Sequence, residues 1–227
     1  MIGAQVLTAG TMTWGWLLYV PVLCWAIWRA PWVELFTDRR RQHLLFGTVF
    51  ALFLLWLVRR DFDTGVSYHF LGMTAVTLLL DWPLALVGGV AAQLALVALG
   101  RQDIAALGVN GLLFVAVPVL VTEVCAILVE RAQPKSPFVY IFCSGFLAAG
   151  ISALFSLMLA LAVLTFEGIF AMPYWLSDFI GYVWLIIFPE AFINGMVVSA
   201  LVVFKPEWLE TFNQTRYLSA PWNDDGT

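Results

Sequence analysis

His69 is one of only two histidines in the 227 residues, and it sits where an imidazole could do chemistry. The stretch Arg60-Asp-Phe-Asp-Thr-Gly-Val-Ser-Tyr-His-Phe-Leu-Gly-Met-Thr74 puts Met73 four residues after it, the spacing that stacks side chains on one helix face. An imidazole above a thioether offers ligands for a borderline or soft divalent ion, or for copper(I). The alternative is a histidine that hydrogen-bonds a neighbouring helix. Asp61 and Asp63 come just before, beside Arg59 and Arg60. They read either as local charge pairs, which contribute little in solvent, or as a vestibule that attracts cations. The other histidine, His43, follows three arginines and reads as an interfacial residue.

Other polar groups interrupt apolar runs. Asn110 stands in Leu107-Gly-Val-Asn-Gly111, Gln93 and Glu123 stand alone, and Glu190 precedes Asn194 by four residues in Pro189-Glu-Ala-Phe-Ile-Asn-Gly195. A carboxylate inside a membrane needs partners, so Glu190 and Asn194 either staple helices together or line a polar path. Asp81, Asp103, Glu167 and Asp178 lie nearer the expected interfaces.

The elements that must position these groups are transmembrane. The chain is 62% hydrophobic and 11% charged with a mean hydropathy of +0.91, which excludes an ordinary soluble domain at roughly 25% charged. Measured against the ~20 apolar residues of a spanning helix, the sequence predicts an all-α bundle with spans near 12–29, 43–58, 66–81, 83–99, 104–129, 137–166 and 179–204. Asp81-Trp82-Pro83 marks the break between the third and fourth, because proline restrains the residue before it. Residues 1–204 then form one membrane domain and 205–227 a short polar tail. No Lys or Arg precedes the first apolar run, so a cleaved leader is not expected.

Seven spans with the N-terminus outside place Arg29, Arg39, Arg40, Arg41, Arg131, Lys135, Lys205 and Arg216 on the cytoplasmic side. Only Arg59, Arg60 and Arg101 fall outside, and the connection 167–177 carries no basic residue. This follows the excess of basic residues in cytoplasmic loops and predicts a multi-pass protein of a bacterial inner membrane. The net charge of −4 offers no surface for nucleic acid. Cys24, Cys125 and Cys143 lack the spacing of a disulfide or zinc framework.

The runs His69-Phe-Leu-Gly-Met-Thr, Leu99-Gly-Arg-Gln-Asp-Ile-Ala-Ala-Leu-Gly-Val-Asn-Gly111 and Pro189-Glu-Ala-Phe-Ile-Asn-Gly-Met196 occur in this order. Residues 60–204 thereby resemble the cobalt and nickel substrate-binding membrane subunits of energy-coupling factor transporters, the CbiM and NikM type, and most closely an uncharacterised bacterial branch of them. The resemblance implies a metal held near the outer face by the N-terminal amine, a histidine at position 2 and a histidine that matches His69. Asn110 matches the asparagine of the family's Gly-Ala-Asn element. Position 2, however, is Ile2, so the family's metal site is not carried over intact.

The candidate metal-binding set is His69, Met73, Asp61, Asp63 and Asn110, with Glu123, Glu190 and Asn194 as intramembrane polar groups. Two functions fit. One is the permease-type substrate-binding subunit of a cobalt, nickel or copper transporter, working among membrane lipids with a transmembrane coupling subunit and cytosolic ATPases. No phosphate-binding Gly-x-x-x-x-Gly-Lys-Ser/Thr loop is present, so the chain is not expected to energise transport itself. The other is a non-catalytic accessory or assembly subunit packed against other membrane subunits. No nucleophile–base pair or Glu-x-x-His element points to an enzyme.

Overall fold

The computed structural model describes residues 1–132, 136–169 and 174–218, with the backbone alone for 174–182. Lys135, the Asp178 side chain and residues 219–227 lie outside the described residues. Helix α1 covers Ala9–Arg29, α2 Trp32–Thr37, α3 Arg39–Leu57, α4 Met73–Leu80 and α5 Trp82–Ala98. Helix α6 runs over Ile104–Ala132 and α7 over Pro137–Phe166, α8 over Tyr174–Phe204 and α9 over Gln214–Leu218. Within α6 a π-helical turn, Leu112–Ala116, lies two residues before Pro118, whose missing N–H cannot close the ordinary turn.

By length and composition α1, α6, α7 and the Val183–Phe204 part of α8 can each cross a membrane, and α5 is a shorter apolar helix. Many of their large side chains face outward, among them Trp14, Trp28, Phe155, Trp184 and Phe188. A surface of this kind suits lipid. Inside, α1 crosses the first turns of α6 where Gly15 meets Gly108. A Cβ on Gly108 would come within 2.6 Å of the Trp16 nitrogen, so both glycines are what allow this approach.

The third expected span, 66–81, is only half helical. Of it α4 supplies eight residues, roughly 12 Å of rise against about 30 Å of hydrocarbon. The stretch before it belongs to an antiparallel hairpin, β1 Arg60–Asp61 and β2 Ser67–Tyr68, and to a loop. Ile2 adds a bridge to Val66, so the chain's first residues form a third edge beside the hairpin. The all-α expectation therefore needs this small sheet added. Apolar residues on both sides of the Asp63-Thr64-Gly65 turn read as span in a hydropathy window, although Asp-x-Gly is turn chemistry.

Non-helical backbone at membrane depth survives only inside protein, with its polar groups paired. Helix α4 lies at the centre of the bundle, touching α3, α5, α6, α7 and α8. Gly72 turns the chain into it at φ 68°, where a Cβ would also strike Leu55. Asp81 ends it at φ 69° and caps α5, accepting from the Trp82 amide at 2.8 Å. The expected break at Asp81-Trp82-Pro83 is thus present.

Residues 205–218 pack against the bundle. Leu209, Phe212 and Tyr217 are buried beside Tyr140 and Leu78, and the Thr211 hydroxyl donates to the Leu78 carbonyl at 3.1 Å.

Candidate metal centre

His69 lies in the loop between β2 and α4, four residues before the helix starts. The expectation that it stacks on Met73 along one helix is therefore wrong. Met73 is fully buried elsewhere, in the cluster that holds Trp56 and Val115, with its methyl against Gly89 of α5. The ring of His69 is wedged between Trp56 and Phe114, with both centroids 5.8 Å away. Its Nδ1 lies 2.9 Å from the Phe70 carbonyl. A carbonyl can only accept, so Nδ1 carries the proton and Nε2 presents a lone pair. That Nε2 is buried and has no partner.

The loop is held in place by α8. Glu190 accepts the Leu71 and Gly72 amides, both at 2.8 Å, and also the Asn194 amide at 2.8 Å. Asn194 accepts the Ala75 amide at 2.9 Å. The four-residue spacing thus makes one polar unit that satisfies the free amides at the start of α4. From the other side, the Trp56 indole donates to the Leu71 carbonyl at 3.0 Å.

The N-terminus comes to the same place. The Met1 amine donates to the Ser67 carbonyl, and the Ser67 amide returns a bond to the Met1 carbonyl at 2.7 Å. Asn110 grips Ile2 at both ends, accepting its amide at 2.7 Å and donating to its carbonyl at 2.9 Å. Both ends of Asn110 are thereby used in positioning Ile2. Burial, with Arg59 nearby, pulls the Met1 amine down to about 4, so it is a neutral nitrogen donor at pH 7.

Met1, Ile2, His69, Phe114 and Glu190 line one cavity of about 680 Å³, walled otherwise by α7, α8 and the hairpin. A second pocket of about 220 Å³ lies on the other side of Met1 and Ile2 and holds Arg59, Asp61, Arg101 and Gln102. Asp61 is engaged there. It accepts from the Ser67 hydroxyl at 2.6 Å and pairs with Arg59 at 2.9 Å and Arg101 at 3.9 Å. The Ser67 hydroxyl above all, with Arg59 and Arg101 beside it, holds its carboxyl below the usual range. Asp63 is exposed on the hairpin turn. Glu123 lies farther along α6, with one carboxylate oxygen buried and unpaired, and Gln93 is buried in α5.

Of the five candidate ligands, only His69 lines the large cavity. Among the described residues no group of three or more His, Cys, Asp or Glu could hold a metal. Trp56 and Phe114, which fix the ring, were not legible as site residues. Phe114 does sit four residues after Asn110, on the same helix face, but nothing local marks Trp56.

Residues 2–208 match the family described as cobalt uptake substrate-specific transmembrane region. Two solved structures share the fold. One is a truncated transition metal transporter, with TM-score 0.65 and 17% identity over 89% of this chain and 98% of that one. The other is a transition metal transporter, with TM-score 0.62 and 17% identity over 89% and 92%. No curated protein matches at the level of sequence. With nearly its whole length matched, this membrane chain belongs to the family of cobalt uptake substrate-specific transmembrane regions.

Proposed function

We propose that the chain is the substrate-binding membrane subunit of a transition-metal uptake system of the energy-coupling factor type. It takes its ion at the hairpin end of the bundle. The observation that carries this is the buried, partnerless Nε2 of His69, a residue that lines the same cavity as Met1 with its neutral amine. A buried acceptor without a donor is costly, and a cobalt, nickel or copper ion satisfies it directly. With Ile2 at the second position, these two nitrogens are the protein's ligands, and the remaining coordination positions belong to whatever accompanies the ion.

In this reading the chain passes the bilayer seven times with the hairpin end outside. The third pass is the loop and α4 together, shielded by the surrounding helices. The tail end faces the cytoplasm of a bacterial inner membrane, where a coupling subunit and ATPases would act. Purified protein is expected to retain or take up about one equivalent of cobalt or nickel, read by metal analysis, and His69→Ala to lose it. A wild-type protein that stays metal-free when incubated with either ion would sink this function. Co-purification of that protein with a respiratory or oxygenase complex would instead establish an accessory subunit.

A further inference from the structure

Two protein nitrogens leave most of a metal's coordination sphere to be filled from elsewhere, and the cavity around them is far larger than an ion. A hydrated ion with six waters at about 30 Å³ each occupies roughly 180 Å³. The cavity holds about 680 Å³, the size of pockets that enclose drug-sized organic molecules. Its walls are apolar, formed by Leu157, Ala160 and Leu164 of α7, Ile186 of α8, and Phe114. Walls of this kind offer water few hydrogen bonds. A bare ion here would leave most of the wall without the contacts that packing supplies.

Charge narrows the occupant further. Among the described residues, Glu190 is the only acidic side chain lining the cavity, and no Lys or Arg lines it. Three N–H donors converge on its two oxygens, as they do on an ionised carboxylate. The site is therefore better suited to a positively charged guest than to an anionic one. Ser156 adds a buried hydroxyl without a partner on the opposite wall.

We propose that this cavity binds a transition-metal ion already carried by a neutral, apolar organic chelator, with His69 Nε2 completing the coordination. The inference rests on the transport reading above and names its substrate class. The chelator packs against α7 and Phe114, and the cationic metal lies toward His69 and Glu190. Anionic chelates such as citrate complexes are disfavoured by the buried carboxylate and by the lack of Lys or Arg among the described lining residues.

The test is calorimetric titration of purified full-length protein with four probes: nickel(II) chloride, the 1:1 nickel–1,10-phenanthroline complex, nickel citrate, and phenanthroline alone. The phenanthroline complex is expected to bind at least about tenfold tighter than the aqua ion, and nickel citrate not at all. His69→Ala should remove binding of both the complex and the aqua ion. Ala160→Phe, or the milder Ala153→Leu if the first variant fails to elute as the wild type does, should fill the cavity and abolish the preference for the complex.

Nickel chloride binding as tightly as the complex would overturn the chelate inference and leave the transport reading standing. Failure of both nickel forms would overturn the two together. Phenanthroline alone binding as well as its complex, or a complex indifferent to His69→Ala, would make the cavity a site for apolar molecules rather than metals. That result, too, overturns the inference.

Discussion

At the tail end of the bundle, Arg41 is held between Glu34 at 2.7 Å and Glu210 at 2.8 Å, and Arg216 reaches Glu130 at 2.8 Å. At the hairpin end, His69 keeps a buried nitrogen with no partner, and Met1 and Ile2 wall off a cavity of about 680 Å³. The tail end spends its charges on docking residues 205–218. The hairpin end spends a carboxylate and two amides, Glu190, Asn194 and Asn110, on holding backbone still around an unsatisfied imidazole. Binding sites are found where structure is rigid and one group is left unpaired, and at the hairpin end a held loop and the unpaired His69 nitrogen coincide with a cavity.

Glu190→Ala should break this contrast most. It strands the Leu71 and Gly72 amides in the interior at about 1–3 kcal/mol each, which would show as a large fall in resistance to detergent unfolding and loss of metal. Glu190→Gln, which retains one acceptor oxygen, should lose less. An unchanged Glu190→Ala protein would mean that α8 does not hold the loop.

Asn110→Ala comes next, at about 2 kcal/mol for the two bonds to Ile2. Its signature is local: amide exchange should rise at Ile2 and Gly3 while the tail end keeps its protection. Uniform loss of protection at both ends would contradict the separation drawn here.

The Met1 amine gives a pH test. It titrates near 8 when unfolded and is pulled down to about 4 in the fold. Between these values the unfolded chain binds the extra proton, so stability should rise with pH, by at most about 1.4 kcal/mol per unit from this group, and flatten above pH 8. Acetylating the amine should remove that slope, and a slope that persists would assign it to other groups.

Arg41→Ala at the tail end should do least, about 1 kcal/mol or below, and should leave metal binding at the wild-type level. A loss of metal from this variant would show that the two ends are coupled.

Much of the frame could be read from the chain itself. Long apolar runs place α1, α6, α7 and α8, and Asp81-Trp82-Pro83 marks the turn into α5, because these signals are local. The four-residue spacing of Glu190 and Asn194 announced a polar unit but not its target, the start of α4, more than a hundred residues earlier. The hairpin was hidden because Phe62, Val66, Tyr68 and Phe70 are as apolar as a span. His69 drew attention through its residue type, while its supposed neighbour Met73 misled: stacking at four residues holds only inside a helix, and the helix begins at Met73. The grip of Asn110 on Ile2 joins positions 108 residues apart, and no local pattern encodes it.

Helix α4 is fastened at both ends by the C-terminal stretch of the chain. Glu190 and Asn194 of α8 hold its start, and Thr211, seven residues beyond the end of α8, holds the carbonyl of Leu78 near its finish. It is a strut about 12 Å long, held at its start by α8 and near its finish by the segment that follows α8. The loop that carries His69 and the helix that follows it therefore take their place from residues 190–211, more than a hundred positions further along the chain.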